Sequence, residues 1–352
     1  MRPPNLGRSR ARVVLLVALL AFALAACGGS KPQDTLEPAG PFAREPDELW
    51  DLVFVIAVVI FFLVEGALVF ALFRFRHRPG RRAAQFHGNT KLEVILTAVP
   101  TLILAGIAVP TVQNIFALAD VPGNALPVEV VAHQFWWQFS YPEQDIKTAN
   151  ELHIPTGRPV RVELDGAAAD PVHPDESEVI HSFWVPRLAG TQDIVPGHTN
   201  YLLLQADEPG TYRGQCKEFC GLSHANMRLS VVAQTPEDFE AWVADQQAPA
   251  SEDDLAAEGA KLFQEGEFPG GPPCAACHAL ESSADAEPAV GPNLTHFASR
   301  ERFAGEMFER TDENLRRWLA GPPDVKPGAL MPDLGLTGQQ IDALVAYLQS
   351  LK

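Results

Sequence analysis

The sequence predicts three folded regions in series: a hairpin of two transmembrane helices, a β-sandwich or Greek-key barrel, and an all-α domain. Three observations support this order. Long apolar stretches are confined to the part of the 352-residue chain before residue 120. Short β-rich runs separated by Pro, Gly and Asp clusters then follow as far as Gln234. Helical segments occupy the chain after residue 254. A chain of this length has room for two or three domains.

The predicted boundaries follow these changes of composition. They are a lipoprotein-type signal peptide at 1–26, an extracytoplasmic segment at 27–48, the helix hairpin at 49–118, the β-rich domain at 119–245, a polar linker at 246–253 and the helical domain at 254–352. The linker prediction depends on a polar, turn-prone run that begins at Gln246.

The N-terminus has the pattern of an export signal. Four arginines precede an apolar run from Val13 to Ala26, as in secretory signals. Leu24-Ala25-Ala26-Cys27 resembles the bacterial lipobox, and this resemblance implies that Cys27 becomes the lipidated first residue of the mature protein. The alternative is an uncleaved anchor that carries an ordinary cysteine.

Two longer apolar stretches, about Leu49 to Phe73 and about Leu92 to Leu118, each exceed the ~20 residues that a transmembrane helix needs. The segment from Arg74 to Lys91 contains six basic residues and no acidic ones, which predicts a cytoplasmic loop. Both outer ends then face outward, on the side that the export signal also requires. We therefore expect a bacterial inner-membrane protein with its soluble domains on the periplasmic or extracytoplasmic side.

Two carboxylates, Glu65 and Glu93, lie in or at these spans. A carboxylate is costly there and usually faces protein or a water path. The alternative for both is packing between helices or a helix-end position, and no role is assigned to Glu65.

The soluble part of the chain carries the acidic charge. From Ala119 to Lys352 there are 36 Asp and Glu against 15 Lys and Arg, a net charge of −21, whereas the whole chain has −17. Nucleic acid is therefore not expected as a partner. An acidic field of this size attracts a basic protein or cations, or serves only solubility.

Two thiols, an imidazole and a thioether lie within twelve residues, at Cys216, Cys220, His224 and Met227. Soft sulfur combined with imidazole selects copper over hard cations. Two cysteines four residues apart on a loop can direct both sulfurs to one point. His181, which follows a strand-like run, is the candidate for the second imidazole of a two-metal site. A disulfide or a single zinc site is the alternative, but it leaves Met227 and His181 unexplained.

Residues 45–235 resemble cytochrome c oxidase subunit II. The motif C-x-E-x-C-x₃-H-x₂-M is complete, and Val179-Ile180-His181-Ser182 and Ile194-Val195-Pro196-Gly197 match the surrounding family pattern. The resemblance implies a cupredoxin-like domain with two copper ions, the CuA centre. It assigns Cys216 and Cys220 as bridging thiolates, His181 and His224 as terminal imidazoles, and Met227 and the backbone carbonyl of Glu218 as weak axial ligands. It also implies that the Glu218 side chain contacts a magnesium ion at the boundary with subunit I.

The same resemblance implies that Glu93 lies at the mouth of a proton channel, because it precedes the matching Thr97-Ala98-Val99-Pro100. One position departs from the family: Phe135 replaces the tryptophan that usually receives electrons from soluble cytochrome c. Trp136 and Trp137 follow directly and are candidates for an electron path. The alternative for both is packing in the barrel core or at an interface.

Cys274-Ala275-Ala276-Cys277-His278 is the attachment signature of a c-type haem. The two cysteines would bond the haem and His278 would be an axial iron ligand. A disulfide is the alternative for this cysteine pair. Met331 precedes a predicted terminal helix, about Thr337 to Leu351, as in the small class I cytochromes c that this region resembles. It is the predicted sixth ligand, and Met307, in a predicted helix, is the alternative.

Two further features of this region enter the prediction. Gly291-Pro292-Asn293-Leu294 resembles the cytochrome loop whose proline carbonyl orients the axial histidine. His296 is predicted to be a surface or propionate-side residue without a bond to iron.

The order of these parts resembles subunit II of a bacterial caa-type oxidase with a fused cytochrome c domain. The resemblance implies transfer of electrons from haem c to CuA and on to haem in subunit I, with reduction of oxygen to water and proton pumping. The implied partners are subunit I, subunit III, an electron donor and the membrane. The alternatives are the copper subunit of a nitric oxide reductase and a membrane-bound redox or copper carrier. A quinol oxidase subunit is disfavoured by Cys216 and Cys220.

Overall fold

The computed structural model describes residues 31–77, 79–80, 87–166, 179–250, 256–287 and 290–352. The predicted signal peptide, Cys27 and residues 251–253 of the predicted linker lie outside these residues. The described chain contains a helix hairpin, a β-sandwich and a mainly helical domain, so the predicted fold class is confirmed.

Two long helices form the hairpin, α1 at Pro41–Arg74 and α2 at Thr90–Ala119. Helix α1 begins eight residues before the predicted Leu49, with Pro41 in its first turn, where a missing N–H costs nothing. The Asn89 side chain caps α2 by accepting a hydrogen bond from Leu92 N. Both helices are long and apolar enough to cross a membrane, and the 18-residue apolar window of each has no buried residue. These apolar surfaces suit contact with lipid.

The β-sandwich consists of two five-stranded sheets. The strands are β1 Leu126–His133, β2 Trp136–Tyr141, β3 Ile146–Ala149, β4 Glu151–Pro155, β5 Val160–Gly166, β6 His181–Trp184, β7 Thr191–Ile194, β8 Asn200–Leu204, β9 Gly210–Cys216 and β10 Arg228–Gln234. The strand orders are β3-β2-β1-β5-β8 and β4-β10-β9-β6-β7. Strand β1 pairs in parallel with β5, and β4 pairs in parallel with β10. Alternate side chains of β1 are buried, as expected for a strand that packs one face on a core.

The segment with the two thiols connects the antiparallel strands β9 and β10. Strand β6 pairs with β9 on the other side, with Phe183 opposite Cys216. His181 begins β6, so sheet pairing brings this histidine next to Cys216 although 35 residues separate them.

Helix α3, Pro236–Gln247, follows the sandwich and is capped by the Thr235 side chain. It extends two residues into the predicted linker. The remaining elements are α4 Ala257–Glu265, β11 Arg302–Phe303, β12 Phe308–Glu309, α5 Asp312–Ala320, α6 Pro322–Val325 and α7 Gly338–Ser350. Helices α4 and α7 pack together, with the Phe263 and Tyr347 rings 5.7 Å apart.

Met307 lies in the turn between β11 and β12, so the prediction that it lies in a helix is wrong. Ala304, Gly305 and Glu306 all have positive φ, between 55° and 71°. Left-handed backbone is incompatible with a right-handed helix, and here it reverses the chain.

Candidate copper and haem sites

The five predicted copper-site side chains meet at one end of the sandwich. The Cys216 and Cys220 sulfurs are 3.8 Å apart and form no disulfide. His181 Nδ1 is 3.8 Å from Cys216 Sγ, and His224 Nδ1 is 3.7 Å from Cys220 Sγ. Met227 Sδ is 3.8 Å from Cys220 Sγ. Each sulfur therefore has its own imidazole, which is a donor set suited to copper.

Ligand atoms of His181, Cys216 and Cys220 lie within 4.8 Å of one another, and all three residues are buried. The hydrogen bond between the two thiols lowers the pKa of Cys216, and the same contact together with burial raises the pKa of Cys220. A bound cation would favour deprotonation of both thiols, because the thiolate is the ligand form.

Glu218 lies between the two cysteines. Its carbonyl oxygen is 3.1 Å from Cys216 Sγ, whereas its side chain is exposed. Phe219 and Leu222 beside it are 75% and 81% exposed. The loop therefore presents an acidic group and two large apolar side chains on the protein surface, which is typical of an interaction surface.

A second site is a largely apolar cavity of about 580 Å³ that is lined mainly by the helical domain. This volume lies in the range of ligand and cofactor pockets. Cys274, Cys277, His278 and Met331 line it, and the two cysteines form no disulfide. A thioether-linked haem has the chemistry that this set of side chains requires: two attachment sulfurs, one imidazole and one thioether.

The His278 ring is fixed by its neighbours. Its Nδ1 hydrogen-bonds the Pro292 carbonyl oxygen at 2.8 Å, and burial lowers its pKa, which favours the neutral imidazole. Gly291 permits this arrangement, because a Cβ there would lie 2.6 Å from His278 Cε1. The other ring nitrogen remains for a metal, in the manner of haem histidines.

Met307 and Met331 both pack against the hydrophobic core of the helical domain. Of the two, Met331 is among the cavity-lining residues of the described chain and Met307 is not. His296 is 4% exposed, and its Nε2 lies 3.2 Å and 3.1 Å from the carbonyl oxygens of Gln246 and Ala248. The prediction that His296 lies at the surface is therefore wrong, whereas a position at the propionate side stays a prediction. It holds the end of α3 against the helical domain.

The sandwich supplies part of the cavity wall, through Gln134, Phe135, Trp136 and Asn150. Gln134 Nε2 donates a short hydrogen bond to the carbonyl oxygen of Cys220. Trp136 stacks on His133 with ring centroids 4.1 Å apart. Trp137 is fully buried and packs edge-on against Phe183, with its ring 6.4 Å from that of His181. The copper-site loop and the haem-type cavity are thus separated by one short segment of chain.

Two buried basic residues at the cavity were not predicted from the sequence. Arg300 donates to the Asn293 carbonyl oxygen at 2.6 Å, and burial lowers its pKa to about 10. Lys326 donates to the Phe135 and Ala304 carbonyl oxygens at 2.7 and 2.8 Å. Positive charge at an apolar cavity favours an anionic ligand, as the propionates of a haem would supply. Neither residue belongs to a motif, so no sequence signal marked them.

Glu93 lies in the first turn of α2 and Glu65 lies within α1. Thr97 Oγ1 donates to the Glu93 carbonyl oxygen at 2.9 Å. Both positions are far along the chain from the copper and haem sites.

Models of three protein families match successive parts of the chain. They are "Cytochrome C oxidase subunit II, transmembrane domain" at residues 33–113, "Cytochrome C oxidase subunit II, periplasmic domain" at 126–234 and "Cytochrome c" at 256–352. Cytochrome c oxidase subunit 2 of Alkalihalophilus pseudofirmus is 36% identical over 96% of both chains. Quinol oxidase subunit 2 of Bacillus spizizenii is 35% identical over 66% of this chain and 73% of that protein.

A solved structure is also similar. The periplasmic domain of subunit II of cytochrome oxidase from Bradyrhizobium japonicum is 26% identical, with a TM-score of 0.32, and covers 36% of this chain and 96% of its own.

The chain combines a membrane hairpin, a copper-type sandwich domain and a cytochrome c domain, which is the composition of an electron-transfer subunit of a membrane oxidase. It belongs to the cytochrome c oxidase subunit II family, with a cytochrome c domain at its C-terminal end. It is a membrane protein whose soluble domains lie on the outer side.

Proposed function

We propose that this chain is the electron-input subunit of a terminal cytochrome c oxidase. It passes electrons from one covalently bound haem c to a CuA centre of two copper ions, and on to haem in subunit I, where oxygen is reduced to water and protons are pumped. The observation that carries the proposal is the shared wall: the cavity with Cys274, Cys277 and His278 is closed by the segment whose Gln134 bonds the carbonyl of Cys220.

For the copper site we propose Cys216 and Cys220 as bridging thiolates and His181 and His224 as terminal ligands. Met227 and the Glu218 carbonyl would be weak axial ligands. When bound, the copper pair and the haem supply one-electron redox chemistry. The protein holds the sulfurs of two buried cysteines 3.8 Å apart, one at a strand end and one in the following loop, so we expect the ligands to need little movement when the charge changes.

For the haem site we propose thioether bonds at Cys274 and Cys277 and axial ligation by His278 and Met331. The Pro292 carbonyl keeps the imidazole in one orientation. The apolar lining excludes water, and a thioether ligand is expected to raise the haem potential.

The partner contacts extend the proposal to the assembly. We assign the exposed Phe219, Leu222 and Glu218 surface to subunit I, with Glu218 at a magnesium ion on that boundary. The other proposed partners are subunit III and an electron donor. The acidic soluble part of the chain suits a basic donor protein.

The membrane part carries further proposals. Glu93, at the cytoplasmic end of α2, would be the mouth of a proton channel, because a carboxylate at a membrane span is costly without such a role. Cys27 is proposed to be lipidated. The domain assignment is the sandwich at 119–245 and the cytochrome c domain at 254–352.

The decisive experiment is to purify the whole complex from membranes and record its optical spectrum, its paramagnetic resonance and its oxygen uptake with cytochrome c. We expect haem c and haem a bands, near-infrared absorption from a mixed-valence copper pair, and oxygen consumption. Turnover of nitric oxide without oxygen uptake would contradict the proposal.

A matched pair of variants tests the copper assignment. His181→Asn removes an imidazole 3.8 Å from Cys216 Sγ. We therefore expect the paramagnetic resonance of the shared electron to disappear. We also expect oxygen uptake to fall by at least about 10-fold, which is the scale of loss at perturbed metal sites. His198→Asn, at an exposed histidine, is the control and should retain both signals. Equal behaviour of the two variants would exclude His181 as a ligand.

A further inference from the structure

Lys326 is a buried lysine at the contact between the cytochrome c domain and the copper domain. It follows α6 and precedes Met331 by five residues, and it is 3% exposed. Its Nζ donates to the Ala304 carbonyl oxygen of its own domain and to the Phe135 carbonyl oxygen of the copper domain. The ammonium group therefore joins the two domains at the wall of the haem cavity, which Lys326 also lines.

A buried ammonium group is costly unless its charge is compensated. In the described part of the chain no carboxylate forms an ion pair with Lys326, and burial lowers its pKa to about 7. Simple adhesion of two domains does not need such a group, because apolar side chains of similar volume pack at lower cost. Unlike an apolar side chain, the lysine forms two directional hydrogen bonds, and these fix the Phe135 backbone relative to the turn at Ala304.

The Gln134–Phe135 segment is held from both sides. On the haem side, Lys326 binds the carbonyl oxygen of Phe135 at 2.7 Å. On the copper side, the Gln134 side chain binds the carbonyl oxygen of Cys220. Phe135 itself is 5% exposed and lies between the cavity and the copper-site loop.

Neighbouring bonds reinforce this connection. Ser223 Oγ, beside His224, donates to the Pro327 carbonyl oxygen at 2.6 Å. Arg228 N, beside Met227, donates to the Gly305 carbonyl oxygen at 3.2 Å. Residues adjacent to proposed copper ligands thus contact residues adjacent to Lys326.

Gly305 shows how closely these groups approach. Its φ is +71°, and a Cβ there would lie 2.8 Å from Lys326 Nζ and 2.9 Å from the Phe135 carbonyl oxygen. A side chain at this position would therefore collide with these groups, and only glycine fits.

We propose that Lys326 is a positioning residue for electron transfer within this chain: it fixes the Gln134–Phe135 backbone between the haem cavity and the copper-ligand loop. This inference rests on the proposed function. One electron is transferred from the haem, which is oxidised, to the copper pair, which is reduced; no bond forms or breaks and no proton moves. Because tunnelling falls exponentially with distance, a looser contact slows the transfer.

The test compares two lysines in the full complex. Lys326→Met keeps the length of the side chain but removes both donors. The control is Lys147→Met: Lys147 is 8% exposed and its Nζ donates to the Ala286 carbonyl oxygen at 2.9 Å, across the same two domains but outside the cavity wall. Haem c is reduced by a light pulse, and the appearance of reduced copper is followed in the near infrared.

We expect transfer from haem to copper to be severalfold slower in Lys326→Met, because a looser contact lengthens the tunnelling path, and we expect the rate in Lys147→Met to match that of the unmodified complex. The potentials of both centres are measured in each variant, and slowing that exceeds the change in driving force supports a positioning role. Equal rates in the two variants would overturn it.

Amide hydrogen exchange gives a second readout that does not depend on turnover. We expect faster exchange at residues 134–137 and 303–306 in Lys326→Met, and at 282–287 in Lys147→Met, because each lost bond releases its own part of the interface. Unchanged exchange at 303–306 in Lys326→Met would contradict the inference.

Two outcomes separate this inference from the proposed function. If the unmodified complex shows no transfer from haem to copper, the proposed function fails. If it shows transfer and the two methionine variants match, only the role of Lys326 fails. If Lys326→Met lacks the absorption band of a cofactor, Lys326→Gln, which keeps an amide group as donor, is used in its place. Slower electron transfer in Lys326→Gln than in Lys147→Met supports the inference, and equal transfer contradicts the inference.

Discussion

His278 and Met331 reach one cavity from distant parts of the cytochrome c domain, but the sequence marks them unequally. His278 belongs to a five-residue signature, so its role could be predicted from spacing alone. Met331 had to be chosen over Met307 from its place before a terminal helix. The structure places Met331 at the cavity and Met307 in a turn outside it, which favours the prediction without testing iron binding.

This choice gives a prediction at the scale of one residue. Met331→Leu keeps the apolar volume but removes the thioether, so we expect the haem c reduction potential to fall and the charge-transfer absorption of Met-ligated iron to disappear. Met307→Leu is the matched control and should change neither. Redox titration and the optical spectrum of the purified complex measure both. A potential that falls only in Met307→Leu would reverse the assignment.

The residues that the sequence could not predict have no motif and act through contacts distant in the chain. Lys326 binds a carbonyl 191 residues away and Gln134 binds one 86 residues away. The departure at Phe135 was visible in the sequence. Its position between the two sites followed only from the docking of the domains.

At the scale of elements, the β11–β12 ribbon carries another buried contact between the domains. Glu306, 3% exposed, accepts hydrogen bonds from Arg213 at 2.6 Å and Ser230 at 2.8 Å, both in the copper domain. Burial, and then the nearby Glu151, raise the pKa of Glu306 to about 7, against the opposing effects of Ser230, Arg213 and Arg302.

A pH dependence follows. The unfolded carboxyl has a pKa of 4.5, so the folded protein binds the proton more tightly. Stability therefore falls as the pH rises from about 4.5 to about 7 and then levels off, by about 3 kcal/mol at most. Glu306→Gln should remove this slope, whereas Glu309→Gln, at an exposed carboxylate, should keep it. Thermal unfolding of the complex, followed by haem absorbance between pH 5 and 8, measures how stability depends on pH. Parallel curves of stability against pH for Glu306→Gln and the unmodified protein would contradict the prediction.

The sequence predicted the elements better than their ends. The helices expected near Asp254 to Gln264 and Thr337 to Leu351 occur at Ala257–Glu265 and Gly338–Ser350, because an apolar period and a Thr337–Gln340 capping box specify them locally. The turn at Ala304–Glu306 was missed, since two of its three residues are not glycine and its left-handed backbone depends on contacts with the other domain.

At the scale of the whole molecule, hydropathy and charge predicted the membrane arrangement, because the cost of burying polar groups in lipid is a property of composition. The relative position of the two soluble domains could not be predicted. It depends on single buried groups such as Lys326 and Glu306, whose partners lie in another domain.

The membrane arrangement can be tested with alkaline phosphatase fusions, which are active only outside the cytoplasm. We expect activity for fusions after Asp120 and after Lys352, and at least about 10-fold lower activity for a fusion after Gly80, which lies within the basic cytoplasmic loop. Expression of each fusion is checked by immunoblot. High activity at Gly80 together with low activity at Asp120 would mean that the hairpin is inverted.

The shared wall of the haem cavity implies an order of maturation. Gln134, Phe135 and Trp136 belong to a domain that precedes Cys274 and Cys277 in the chain, so we expect this domain to fold first, as N-terminal domains generally do. A thioether bond can form only while both thiols are open to an incoming porphyrin. Under the proposed function, we therefore expect haem attachment to come before the two domains close on each other, because the copper domain supplies part of the cavity wall.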